Sequence, residues 1–398
     1  MRVMFTAFVP SHFTMMVPLA WALRAAGHEV VVAGMGDIVA AAQAAGLSTH
    51  RIGTDGGFSS HVKPGHMAAD GAGEAPPEVP LTAHELAARR PWAQMSRLWP
   101  MLVTDLNHLF VDFARGWGAD LVVCETDHNG LIAGGVLGVP VVYHRWGPDM
   151  LGPLIFEHAS VALAEVCGGL GLGGLPVPDL VVDSCPPGLR FSGLPVAESV
   201  RFVPFNGVGE VPLWFGERRG PRVVVALGLL GGQTLLPEFV RGVVEGVSAA
   251  VAGVGGVEVV LPLGVGAVEG LGVLPRCFRV VEPTPLNLFV GECDLVINHG
   301  GAGTALTACA YGIPQLVLPQ PHAAPVGCAE RVVETGVGLS VPYDTVVEDP
   351  SSLVAPIRAL LEDPRYRENA AAMAAEMATL PGPDELVPTL EALVRTRG

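Results

Sequence analysis

Lysine is all but missing from this chain: 23 basic residues stand against 39 acidic ones, and Lys63 is the single lysine. A pyridoxal-dependent phosphorylase needs a lysine in its active-site crevice, and this one lies in an N-terminal loop stretch, so that class is set aside. Positive charge is scarce in general. The formal net charge of −16 and a pI near 5.1 argue against nucleic acid or an anionic membrane surface as the main partner. Cysteines number seven, an odd count with no C-x-x-C pair, so neither a disulfide framework nor a zinc site is expected. Reduced thiols of a cytoplasmic protein are the expectation. No D-x-D pair is present to hold a divalent ion, and neither a metal nor a cofactor is expected. Uninterrupted apolar runs of about 18 residues are also lacking, so nothing should span a membrane. Near the N-terminus Arg2 and Ala20-Trp21-Ala22 faintly mimic a signal peptide, but Pro10-Ser11-His12 breaks the apolar run.

What is present suffices for two domains of ordinary size: 398 residues, 50% of them hydrophobic. Val3 to Val9 predicts a strand and Phe13 to Ala26 a helix stopped by Gly27. Val30 to Ala33 predicts the next strand, and a helix capped by Asp37 runs to Ala45. Residues 53–80, rich in glycine and proline, predict a surface loop. A helical stretch from Thr82 to Trp117 leads to a strand at Leu121 to Cys124, a helix at Gly130 to Leu137 and a strand at Pro140 to His144. Proline and glycine cluster again from Pro204 to Pro221, as in a linker. A second series then opens with strand Arg222 to Leu227 and helix Leu236 to Ala252. Strands follow at Val257 to Leu261, Phe278 to Val281, Leu295 to Ile297 and Gln315 to Leu318, and from Pro350 onward the chain reads as helices. Two such series predict an α/β protein with two Rossmann-like, doubly wound parallel sheets facing a central cleft. The expected boundaries are 1–205, a linker at 206–220, a second domain at 221–378, and a C-terminal helix at 379–398 that returns to the first domain.

Chemistry concentrates at the ends of predicted strands. Asn298-His299-Gly300-Gly301-Ala302-Gly303-Thr304 follows a β-branched strand and opens a helix. Such a glycine turn presents free backbone N–H groups and the positive end of the helix dipole to one point, which suits a phosphate. His299 could donate to a phosphate oxygen. In the first half His12 follows the first strand, where an imidazole can take a proton from a hydroxyl. Glu125 and Asp127 end another strand of that half, and either could orient the ring. Gly169-Leu170-Gly171-Leu172-Gly173-Gly174 fits G-x-G-x-x-G, but no strand precedes it and it is read as a loop.

Further segments carry a resemblance. Met1-Arg2-Val3, Pro18-Leu19-Ala20, Gly27-His28-Glu29-Val30, Val203-Pro204-Phe205-Asn206-Gly207, the glycine segment, Gly312-Ile313-Pro314-Gln315 and Leu318-Pro319-Gln320 together resemble the GT-B-fold glycosyltransferases that decorate bacterial natural products. The resemblance runs nearly end to end. It implies inverting transfer of a hexose from a nucleotide-diphosphate donor, such as a dTDP-sugar, to a hydrophobic natural-product acceptor such as a polyketide aglycone. His12 would be the general base and Glu125 (or Asp127) its partner. The donor would meet Gly228, Leu229, Pro283, Thr284, His299, Gly300, Gly301, Ala302, Gly303, Thr304, Ala323 and Ala324. The acceptor would lie in the first domain against Phe58, His144 and Trp146. Ala323-Ala324 replace the acid–amide pair that in this family holds sugar hydroxyls, which implies a deoxyhexose. The alternative is an inactive homologue that binds a ligand and transfers nothing; a homodimer is compatible with either reading.

Overall fold

The computed structural model describes residues 1–53, 80–214, 220–227, 237–252, 254–263, 271 and 273–397. The first domain runs β1 (Arg2–Phe5), α1 (Pro10–Ala25), β2 (Glu29–Gly34), α2 (Gly36–Ala44), β3 (Ser48–Arg51), α3 (Ala83–Ala88) and α4 (Trp92–Trp117). It continues with β4 (Leu121–Cys124), α5 (His128–Leu137), β5 (Val141–His144), α6 (Gly152–Ala162), α7 (Ala164–Gly169), β6 (Leu180–Asp183) and β7 (Glu198–Ser199). The second domain holds β8 (Arg222–Ala226), α8 (Pro237–Val251), β9 (Glu258–Pro262), β10 (Phe278–Val281), β11 (Leu295–Asn298), α9 (Ala302–Ala310), β12 (Gln315–Val317), α10 (Ala323–Glu334) and β13 (Gly338–Ser340). Helices α11 (Tyr343–Glu348), α12 (Val354–Glu362), α13 (Pro364–Ala378) and α14 (Pro383–Arg397) close the chain.

Both sheets are parallel, with strand orders β3-β2-β1-β4-β5-β6-β7 and β10-β9-β8-β11-β12-β13. In each, the order reverses between the first strand and its partner, β1 beside β4 and β8 beside β11. Crevices open at the carboxyl ends of such strand pairs. The strands read as unbroken β-branched runs because both faces are covered. Val3 and Phe5 enter one core with Val32 and Val123, while Met4 enters the other with Ala33, Val122 and Val141. Helix α4 lays Trp99, Leu102, Val103, Leu106, Phe110 and Ala114 on that second core, the i, i+3, i+4 stripe of an amphipathic helix.

Several expectations are corrected. The first strand ends at Phe5, and α1 begins at Pro10 without a side-chain cap. Met35, not Asp37, occupies the cap position of α2. The stretch from Thr82 to Trp117 is two helices, divided at Pro91, the first opened by a Thr82–Glu85 capping box. Strands β3, β6, β7 and β13 carry no expectation from sequence; β3 and β7 are short edge segments (Ser-Thr-His-Arg and Glu-Ser) without apolar alternation.

Two crossings tie the halves together. Arg201 N donates to Pro381 O at 2.7 Å, so the outgoing and returning segments lie side by side. The returning helix α14 places Leu386, Val387 and Leu390 in the first domain's core, and His28 pairs with Glu391 at 3.1 Å. Helix α10 docks Ala323 among Ala83, Leu86 and Met150 of the first domain, and Ala83 N donates to Glu330 at 2.8 Å.

Candidate active site at two strand reversals

His12 stands in the first turn of α1, directly after β1, and Glu125 directly after β4. The reversal in strand order brings them together: His12 Nδ1 lies 3.1 Å from Glu125 Oε2. Glu125 is enclosed, whereas the His12 side chain keeps 23% of its surface. The carboxylate also accepts hydrogen bonds from the Phe8 amide and from the Thr126 amide and hydroxyl. Burial pushes its pKa up, but the His12 charge and these donors outweigh burial and hold it below the usual carboxylate range. Glu125 is therefore ionised and can only accept. The proton on Nδ1 faces Glu125, and Nε2 is left as the basic edge.

Asp127, the other carboxylate of the strand end, does not partner His12. It caps α5, accepting from Asn129 N at 3.2 Å and Gly130 N at 3.3 Å. Burial raises its pKa to about 6.

The segment after β5 packs against the imidazole. Trp146 stacks on the His12 ring with centroids 4.7 Å apart and planes 7° from parallel. Arg145 anchors the segment through Asp183 at 2.8 Å, and Asp149 accepts from Leu151 N and Gly152 N at 3.0 and 2.7 Å. His144 is a correction: it is 2% exposed, with Nδ1 donating to the Arg145 carbonyl, so it offers no surface to an acceptor. Phe58, Gly228 and Leu229 lie outside the described residues.

In the second domain the glycine turn is built by one buried amide. Asn298 Oδ1 accepts from Gly300 N at 2.8 Å, while its Nδ2 donates to Gln315 Oε1 at 3.1 Å. Gly300 has φ +87°, and a Cβ there would fall 2.8 Å from the Pro325 carbonyl oxygen. Gly301 is the N-cap of α9 and brings no side chain, which leaves the first-turn amides of Ala302, Gly303 and Thr304 without a side-chain cap. A Cβ on Gly303 would meet nothing within 4 Å, so the turn opens on free space. The His299 ring lies over Gly301; burial lowers its pKa, and Nδ1 finds no partner among the described residues. Pro283 is exposed in the loop after β10, and Thr284 donates to the Glu282 carbonyl at 2.8 Å.

Asn206 has a role that its residue type alone does not announce. Its Nδ2 donates to Thr307 Oγ1 at 3.0 Å, and its Oδ1 accepts from Asn287 N at 3.0 Å. It thereby fastens the start of the linker to α9. Ala323 is a further correction. Ala323 is fully buried and Ala324 half-buried against the first domain's core, so Ala323 has no surface left for a sugar.

The two halves of the site touch. Gly147, next to Trp146, has φ +146°, and a Cβ on it would fall 2.4 Å from Ala302 Cβ at the start of α9. Among the described residues no group of His, Cys, Asp or Glu is gathered to hold a metal ion, and no helix is long and apolar enough to cross a membrane.

Comparison with known proteins adds an independent line. Residues 21–228 match the family model "Erythromycin biosynthesis protein CIII-like, N-terminal domain", and residues 247–393 match its C-terminal counterpart. The chain is 32% identical to the TDP-daunosamine transferase DnrS of Streptomyces peucetius, with 99% of this chain and 97% of that protein covered. It is likewise 32% identical to the 10-deoxymethynolide desosaminyltransferase of Streptomyces venezuelae, over 99% and 97% of the two chains. Among solved structures, the spinosyn rhamnosyltransferase SpnG complexed with thymidine diphosphate superposes with a TM-score of 0.84 at 33% identity, covering 98% of this chain and 100% of that one.

Proposed function

Since this chain belongs to the erythromycin biosynthesis protein CIII-like family of antibiotic glycosyltransferases, with the GT-B pair of Rossmann-like domains, we propose that it moves a deoxyhexose from a TDP-sugar to a hydrophobic polyketide-type acceptor. The relatives named above, a daunosamine and a desosamine transferase among them, support the sugar class and the nucleotide. The deoxy preference rests on them.

The observation that carries the mechanism is the 3.1 Å contact between His12 and an ionised, enclosed Glu125. His12 Nε2 takes the proton of the acceptor hydroxyl (or of a nucleophilic carbon), and the freed electron pair attacks the anomeric carbon. The bond from that carbon to the diphosphate oxygen breaks on the opposite face, which inverts the centre. The diphosphate leaves with the electron pair, and the amides of Ala302, Gly303 and Thr304 meet its growing charge. Glu125 holds the ring in the required tautomer and offsets the charge it gains. The intact pair favours transfer over an inactive homologue. His12→Ala should lower kcat by about 10²–10⁴-fold while TDP binding, followed by calorimetry, stays within about threefold. A variant with near-wild-type kcat would remove His12 from the role of base.

A further inference from the structure

We infer that the Trp146–Gly147 pair is a positioning element that makes the His12 imidazole and the N-terminus of α9 move as one body. The inference rests on the reading of His12 as base and of α9 as the diphosphate site. Three contacts carry it. The imidazole is held at its Nδ1 edge by Glu125 and on one face by the Trp146 ring, 4.7 Å away and within 7° of parallel. Two restraints at right angles fix both position and tilt, and Nε2 is the edge left over. The next residue, Gly147, lies so close to Ala302 that a methyl group would stand 2.4 Å from the alanine's own. Only glycine combines that approach with φ +146°. Arg145 and Asp149 pin the segment on either side, so a shift of α9 reaches Trp146 through backbone that has little freedom to absorb it.

The indole N–H provides an internal control. Trp146 Nε1 is buried and has no partner among the described residues, so stacking and N–H donation separate by substitution. Trp146→Phe keeps a ring face and loses the N–H, whereas Trp146→Leu loses both.

The test reads the His12 ring directly in full-length protein labelled with ¹⁵N-histidine, the His12 signals being identified by their loss in His12→Ala. Wild type and Trp146→Phe should show one tautomer with the proton on Nδ1; in Trp146→Leu the unstacked ring should tilt away from Glu125, and the loss of that hydrogen bond should show as averaging between tautomers. An unchanged His12 signal in Trp146→Leu, or averaging in Trp146→Phe, overturns the stacking role. TDP alone is then added as the probe. In wild type it should shift the His12 signals. In Gly147→Ala that shift should fall at least about threefold with TDP still bound, and Ala302→Gly in the same chain should recover part of it. TDP binding that leaves wild-type His12 unmoved, or a full shift in Gly147→Ala, overturns the coupling alone. No TDP binding in wild type overturns the donor reading and the inference with it.

Discussion

Glu125 and Asp127 leave the same strand two positions apart, yet their surroundings push them to opposite sides of the carboxylate range. Both are enclosed. Glu125 gains a histidine and three donors and stays charged, whereas Asp127 has two long backbone hydrogen bonds and is raised to about 6. For Asp127 the folded state binds its proton more tightly than the unfolded chain does. Its contribution to stability is therefore complete below its ordinary value of 3.8 and is lost as pH rises through about 6. Asp127→Asn keeps a side chain that caps helices well, and should flatten the dependence of Tm on pH between about 4 and 6. A slope equal to that of wild type would mean that another group, such as Asp149, carries it. For Glu125 the sign is reversed: pairing is complete above the ordinary carboxylate value and is lost as pH falls through its lowered one. Glu125→Gln should lower kcat by about 10²-fold or more with little change in TDP affinity, measured by calorimetry.

Among elements, the glycine turn before α9 was legible because it needs only local chemistry, a β-branched strand with glycines just beyond it, and His12 was legible as a residue near the end of the first strand although the bounds of β1 and α1 were not. Edge strands such as Ser48–Arg51 were not legible, since a pairing partner and not apolar alternation defines them. The same limit hid the Trp146 stack, the Asn206 tie to α9 and the enclosure of Ala323. Each depends on contact between parts of the chain that no local pattern joins. The turn itself yields an element-scale prediction. Gly300→Ala must leave φ +87° or meet the Pro325 carbonyl, a strain of about 1–3 kcal/mol. If the turn rearranges to relieve it, TDP affinity should fall about tenfold or more by calorimetry while far-UV circular dichroism is unchanged.

At the scale of the whole molecule, the domains are joined by more than a linker. Helix α10 docks on the first domain, the segments around Arg201 and Pro381 run together, and α14 completes the first core. Heating should give one calorimetric transition. Leu390→Ala, at a fully buried position in the first core, should destabilise by about 2–5 kcal/mol, although Leu390 lies beyond the second domain in sequence. A fall of less than about 1 kcal/mol would show that α14 contributes little to that core. The return of α14 also has a consequence for synthesis. A ribosome releases Val200 long before Leu390, and at roughly 5–20 residues per second the interval is on the order of ten to forty seconds. Through that interval the patch under α14 has no cover, so the N-terminal half of the nascent chain waits as an unfinished surface open to chaperones until α14 is made.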